Sequence, residues 1–338
     1  MSTPRQKTVL VTGANGYIGN AVAKAFVRAG WTTWGLVRNA ETRPALRAEE
    51  IIAVLGSADD KHFVSKLDNQ NRVFVFDVIV SVTEQKTDYA SHFNNTIELF
   101  RVLATIANRN GVRPLVLFTS GSKDYGMTGL HGSQGLAPHT EGSALKPPPF
   151  LADRVSHAIK VLDHKDLFDA VLLRSTSVYG YSSSYYGQMF DLAAKAAVKG
   201  VLEIAADQKT IMHATHVDDC AEAYVAIAEA DREVVKGQCY NISGDRYETL
   251  EEVANALVEE YKIADGVKFL PVREKIQFDS LQPVLGFSQW VDSEKLRKDT
   301  GWKPRRQLFS EGLRIYRKAY EAAGAQKHAN VRKVQALV

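Results

Sequence analysis

Gly13, Gly16 and Gly19, in the run Thr12-Gly13-Ala14-Asn15-Gly16-Tyr17-Ile18-Gly19, are spaced to receive a diphosphate. Gly13 permits a sharp turn, Gly16 removes the side chain where a phosphate must approach the backbone, and Gly19 lets a helix lie close on a strand. Asn15, Tyr17 and Ile18 travel with the turn, and the N–H groups of the helix start then face the anion. The chemistry this implies is dinucleotide binding. Some 20 residues on, where an acidic residue would bond the ribose hydroxyls of NAD, stand Arg38 and Asn39. A guanidinium there can pair with a 2′-phosphate, so the expected cofactor is NADP(H) rather than NAD(H). His213 and His216 lack a third convergent ligand, so no metal site is expected. His131 and His139 read as exposed loop histidines, and Asp218-Asp219 as a cap for the helix that follows.

These residues need a scaffold, and the hydrophobic pattern supplies one. Thr8 to Thr12 is a β-branched strand, and Asn20 to Ala29 repeats apolar residues at helical spacing. Strands are predicted at 32–37, 51–55, 73–80, 115–119 and 170–174. Helices are predicted from Asp59-Asp60 onward and at 94–109, 150–162, 188–198, 220–228, 250–261 and 292–300, with Thr249 to Glu252 a capping box. Gly126 to Pro149 reads as a long loop. From about Ala322 the pattern fades into a fraying tail. Alternating strands and helices predict an α/β, doubly wound parallel sheet with ligand at the carboxyl ends of its strands.

Length and composition narrow the class. The 338 residues suffice for a nucleotide domain and a smaller α/β lobe around one cleft. The expected division is 1–180 with 213–242 for the first, 181–212 and 243–320 for the second, and 321–338 for the tail. Forty-two Lys and Arg against 39 Asp and Glu leave +3, too little to argue for nucleic acid or a membrane surface. No uncharged run is long enough to span a bilayer, residues 1–7 are polar, and the two cysteines fit a reducing compartment. A cytoplasmic protein acting on a small molecule is expected.

With these pieces in place, the chain resembles the extended short-chain dehydrogenase/reductase superfamily, of the NAD(P)-dependent epimerase/dehydratase type. Residues 12–19 look like its Thr-Gly-x-x-Gly-x-x-Gly turn. Asn95 to Leu103 is similar to its Asn-Val-x-Gly-Thr helix, and Phe118 to Gly126 to its Ser-Ser-x-x-x-Tyr-Gly strand end. Leu173 to Gly180 resembles its Leu-Arg-Pro-x-x-Val-Tyr-Gly segment, and His216-Val217-Asp218-Asp219 and Gly301-Trp302-Lys303-Pro304 match two further landmarks. The resemblance implies a Rossmann fold and cofactor contacts from Ser120, Arg154, Ser177 and Val178. It also implies a substrate pocket near Gly121, Phe150, Tyr179, Tyr185 and Tyr186, and a homodimer through the helices near 94–109 and 150–162.

The same comparison implies that the usual catalytic set is missing. Family chemistry uses Tyr-x-x-x-Lys with a Ser or Thr, and here Phe150, Arg154 and Gly121 stand at those positions. Phenylalanine cannot exchange a proton, and a guanidinium holds its own. Ser122 and Lys123 occupy the positions that carry an acid-base pair in the dehydratase branch, and Tyr125 is the nearest phenol; with Arg154 these are the candidate catalytic residues. The leading expectation is an NADP(H)-dependent oxidoreductase acting on a small carbonyl or hydroxyl compound with a non-standard acid/base. The alternatives are a non-redox isomerase, lyase or cyclase that keeps its nucleotide, and an NADP(H)-sensing regulatory or binding protein.

Overall fold

The computed structural model describes residues 5–68, 75–85, 87–271 and 282–336. In chain order the strands are β1 (Thr8–Thr12), β2 (Thr32–Val37), β3 (Ile52–Leu55), β4 (Val78–Ser81), β5 (Leu115–Gly121), β6 (Asp169–Ser175), β7 (Ser177–Tyr179), β8 (Leu202–Ile204), β9 (Ile211–Met212), β10 (Ala214–His216), β11 (Cys239–Ile242), β12 (Glu248–Thr249) and β13 (Val267–Phe269). Seven of them form one parallel sheet in the order β11-β6-β5-β4-β1-β2-β3. The order reverses beside β1, and a doubly wound sheet binds its ligand at that reversal. The remaining strands pair as β7 with β10, β9 with β12 and β8 with β13.

The central strands are apolar on both faces because both faces are covered. Val9 and Val11 of β1 enter one core while Leu10 enters the other; Val78 and Val80 of β4 oppose Ile79 in the same way. The first core lies under α1 (Tyr17–Arg28), and the helices α2 (Arg43–Ala48) and α3 (His62–Asp68) follow in chain order. The second core lies under α4 (Tyr89–Arg109), whose Phe93, Ile97, Phe100 and Leu103 are buried on one side. A third core gathers apolar residues of α6 (Tyr185–Lys199) and α9 (Leu250–Tyr261).

Several predicted elements shift. Of the strand expected at 73–80, Val73 and Phe74 lie outside the described residues, and the observed strand is β4. The helix expected at 150–162 is three short pieces: 3₁₀ turns at Pro149–Leu151 and Ile159–Asp163 flank α5 (Ala152–Ala158). After α6 come α7 (Val217–Glu229) and α8 (Arg232–Val235), then, beyond α9, α10 (Gln282–Leu285) and α11 (Glu294–Thr300). The capping box forms on α9, with Thr249 and Glu252 bonding each other's backbone. Leu296 and Trp302, expected in the second lobe, join the core beneath α1 and α7. Cys220 and Cys239 are both free thiols. Among the described residues no helix is long and apolar enough to cross a membrane.

The expected fraying tail is instead two helices, α12 (Leu313–Ala325) and α13 (Ala329–Gln335). Val331 and Val334 are buried, and Gln188 of α6 donates to the Val334 carbonyl at 3.0 Å. Docking, not helical propensity, stabilises a segment this short. Val331→Ala is therefore expected to cost on the order of 2 kcal/mol in urea unfolding. Val198→Ala, at an almost fully exposed site, is expected to change stability by less than about 0.5 kcal/mol.

Candidate functional site

The glycine turn sits at the carboxyl end of β1. Gly13 has φ +70°, and the Gly16 N–H donates to its carbonyl at 2.8 Å. A Cβ on Gly19 would lie 2.2 Å from that same oxygen, so α1 can begin this close only with glycine there. The start of α1 has no side-chain cap and no acidic residue in its first turn. A helix N-terminus left open and free of negative charge is a fit for a diphosphate. Asn15 is exposed beside it. Tyr17 does more than contribute backbone: its hydroxyl donates to the Gly180 carbonyl at 2.7 Å, and burial lifts the phenol well above its usual range.

Arg38 is exposed at the end of β2. Asn39 beside it caps the next turn, its side chain accepting from the Glu41 N–H at 2.9 Å. Asp59, beyond β3, is held below the usual carboxylate range by Ser57 and by its own backbone, with Arg38 adding a smaller electrostatic pull. Ser177 and Val178 lie on β7, paired with Ala214 and Thr215 of β10.

At the end of β5 the sequence expectations separate. Arg154, from α5, reaches back across the sheet end and lies against Gly121, where a Cβ would come within 3.2 Å of Nη2. That nitrogen donates to Asp124 Oδ1 at 2.7 Å, and Nη1 donates to Glu84 Oε1 at 3.0 Å. Burial pushes the guanidinium pKa down, and the two carboxylates push it up by more, so the charge stays. The other Asp124 oxygen accepts from Ser120 Oγ at 2.6 Å and from Arg174 Nε at 3.3 Å. Asp124 is 1% exposed and Arg174 is buried on β6. Sequence reading missed this network. Its one visible signal was a charged residue, Arg174, inside an apolar strand, which demands a counter-charge.

Ser122 is buried against Gln289. Its hydroxyl donates to Gln289 Oε1 at 2.7 Å, and Gln289 Nε2 donates to the Ser122 and Gly126 carbonyls at 2.7 and 2.8 Å. Tyr125 is likewise committed. It is buried, donates to Asn241 Oδ1 at 2.8 Å, accepts from Arg174 and stacks on His139 at 5.3 Å. Burial pushes its phenol up to about 12. The Lys123 Nζ lies 4.5 Å from the centre of the Phe287 ring, and burial followed by the Arg154 charge brings it down to about 8.

The expected pocket residues scatter. Phe150 leaves 56% of its surface exposed, and Tyr185 is exposed at the start of α6. Tyr186, 1% exposed, and Tyr179 are buried in the third core. They pack with Phe309, and the Tyr179 hydroxyl donates to the Gln307 carbonyl at 2.7 Å. His131 is exposed and bonded to Tyr247, whereas His139 is partly buried.

His213 and His216 have structural partners instead. The Val291 N–H donates to His213 Nδ1, and Nε2 faces the Gly244 carbonyl, which assigns the proton to Nε2. His216, not Asp218 or Asp219, caps α7, its Nδ1 accepting from the Asp218 N–H at 3.1 Å. Asp219 accepts the Arg305 and Arg306 N–H groups at 3.0 Å each, and Asp218 accepts from Tyr181 and Arg306.

Residues 9–243, spanning most of the sheet and the glycine turn, match the model of the NAD dependent epimerase/dehydratase family. The chain belongs to that family. Its sequence is 22% identical over 227 residues to a ceramide reductase of Caulobacter vibrioides, covering 67% of this chain and 62% of that one. A shorter stretch of 94 residues is 28% identical to hemoglobin subunit beta-2 of Lycodes reticulatus, 26% of this chain and 61% of that one. The chain thus spans about three fifths of each curated relative it matches. A parallel sheet has no counterpart in an all-helical globin, so the hemoglobin match carries no argument. Among solved structures, dTDP-glucose 4,6-dehydratase from Bacillus anthracis in complex with NAD superposes with TM-score 0.72 at 16% identity, covering 94% of this chain and 98% of that one. At that identity the likeness shows the fold.

Two predictions follow from the buried charges. Asp124→Asn leaves Arg154 and Arg174 short of a counter-charge, and a loss of about 3–5 kcal/mol is expected in urea unfolding. His213 and His216 are held near pKa 4 by burial, below the 6.5 of a solvated imidazole. In the unfolded chain both take protons below pH 6.5 that the folded chain refuses. Unfolding free energy is therefore expected to be full above pH 6.5 and to decline toward pH 4, by a slope of up to two protons.

Proposed function

We propose that this chain is an NADP(H)-dependent oxidoreductase that acts on a small carbonyl- or hydroxyl-bearing substrate and moves the accompanying proton through Lys123. The observation that carries the reading is the placement of Lys123 at the end of β5, packed on Phe287 and within reach of the Arg154 charge, where burial and then that charge bring its pKa down to about 8. A group with that pKa exchanges protons near neutral pH, as phenylalanine at 150 cannot. The glycine turn and the open start of α1 would hold the diphosphate, and Arg38 the 2′-phosphate. Bound there, the nicotinamide supplies or accepts hydride. In reduction, the Lys123 ammonium gives its proton to the forming alkoxide oxygen and is recharged from solvent. In oxidation, the neutral amine takes the hydroxyl proton. Arg154, charged throughout, stabilises negative charge developing on that oxygen and transfers no proton.

Exposed Val102 on α4 and Ile159 beyond α5 support a homodimer through those helices, and two free thiols support a cytoplasmic location. A second reading, a nucleotide-sensing protein without turnover, is favoured by the ion pairs that pin Arg154 to Glu84 and Asp124.

The test follows NADPH absorbance against a panel of small ketones, aldehydes and alcohols. Lys123→Met is expected to lower kcat by about 10²-fold or more. Its NADPH Kd should stay within about threefold of wild type, since the diphosphate contacts are untouched. Reduction should fall as pH rises through about 8, and oxidation should rise over the same range. Tight NADPH binding with no turnover of any compound favours the sensing reading. Arg38→Ala is expected to weaken NADPH by about tenfold relative to NADH, by loss of a charge-assisted pair.

A further inference from the structure

The chain leaves the nucleotide lobe for the second lobe at residues 180–184, between β7 and α6, and this crossing is strained. Gly180 has φ +110°, and a Cβ there would lie 2.3 Å from His216 Nε2. Tyr181 and Ser183 follow at φ +49° and +55°, in the left-handed region that L residues rarely adopt. Such a conformation persists only where its surroundings over-determine it.

The surroundings come from three places. Ser183 N–H donates to the Gly180 carbonyl at 2.8 Å, and the Tyr181 hydroxyl donates to Asp218 Oδ2 at 2.6 Å, which ties the crossing to the first turn of α7. On one side the Tyr17 hydroxyl, from the glycine turn, donates to the Gly180 carbonyl. On the other, Asn330 of α13 donates from Nδ2 to the Ser182 carbonyl at 3.1 Å, to Ser182 Oγ at 3.2 Å and to the Ser183 carbonyl. Ser183 itself is buried, and its hydroxyl has no partner, so the side chain contributes nothing that would hold this backbone.

We propose that Tyr17 and Asn330 are positioning residues: together they hold the strained crossing so that the start of α1 stays in register for the dinucleotide, which makes α13 part of the cofactor site's support. The inference rests on the proposed nucleotide binding. Tyr17 is the first residue of the helix whose open N–H groups would face the diphosphate, so a shift of Gly180 is felt there directly. Asn330 lies on the C-terminal helix, and its side chain meets the crossing at Ser182 and Ser183. Because coupling between sites is reciprocal, nucleotide occupancy should in turn steady the crossing.

The experiment uses the full chain, with NADP⁺ titrated by calorimetry and amide exchange followed over residues 181–187. Asn330→Ala and Tyr17→Phe are each expected to raise the NADP⁺ Kd by about fivefold or more. The double variant should be no worse than about the larger single effect, because both act through one element. NADP⁺ should slow exchange at 181–187 in wild type and not in Tyr17→Phe. Ser183→Gly in the Asn330→Ala background supplies a readout that plain destabilisation would not move: glycine adopts φ +55° unaided, so NADP⁺ affinity should return toward wild type. An Asn330→Ala variant whose Kd stays within about twofold of wild type while exchange at 181–187 rises overturns the inference, leaving Asn330 a local brace. Failure of Ser183→Gly to restore affinity overturns it as well. If the wild-type chain takes up neither NADP⁺ nor NAD⁺, the proposed function fails along with it, an outcome distinct from the other two.

Discussion

One buried carboxylate organises the end of the sheet. Asp124 accepts from Arg154, Arg174 and Ser120, and it is the counter-charge of buried Arg174 and, with Glu84, of partly buried Arg154. Removing charges from water costs several kcal/mol per ion and is offset only when the geometry satisfies every lone pair. The rest follows from that arrangement. Arg174, once neutralised, lies over the Tyr125 ring at 5.1 Å and bonds its hydroxyl, and Tyr125 then reaches Asn241 on β11. Arg154 needs the space that a side chain at 121 would fill, so the glycine there and the arginine are one structural solution rather than two separate losses.

That arrangement explains why the reactive groups divide as they do. Arg154 keeps a fixed positive charge beside Lys123, and a neighbouring cation in a dry setting favours the neutral amine. The Ser122 hydroxyl is bonded to Gln289 and the Tyr125 phenol to Asn241 of β11.

What could be read from the residues alone divides along a physical line. The glycine turn and the sheet were legible because local backbone geometry and two-sided burial dictate them: Gly13 must turn, Gly19 must be bare, and Val9, Leu10 and Val11 fill both cores. The absence of the usual tyrosine, lysine and hydroxyl was also legible, since it concerns residue identity. What replaced them was not, because the partners are remote in the chain: Ser122 meets Gln289 and Tyr125 meets Asn241 only after folding. Helix α13 was missed for a related reason. Its two buried valines, three residues apart, are too few to make a periodic pattern, and its order comes from α6. The cap of α7 went to His216 instead of an aspartate because a neutral imidazole with a free Nδ1 lone pair accepts a backbone N–H as well as a carboxylate does.

The long 126–149 loop is closed at its neck. Lys146 N–H donates to the Asp124 carbonyl at 3.0 Å, and Gln289 grips the Gly126 carbonyl on the other strand of the neck. Farther out, His139 exchanges backbone bonds with Trp290 and Asp292. At its tip, past the His131 bonds to Lys209 and Tyr247, Gly132 and Gly135 take positive φ, and a Cβ on either would meet nothing within 4 Å. A closed neck and an exposed 132–135 tip make this the place where foreign sequence, such as an epitope or a fluorophore-labelling tag, can be grafted, because whatever is spliced in there grows into solvent while the neck keeps the scaffold's own geometry.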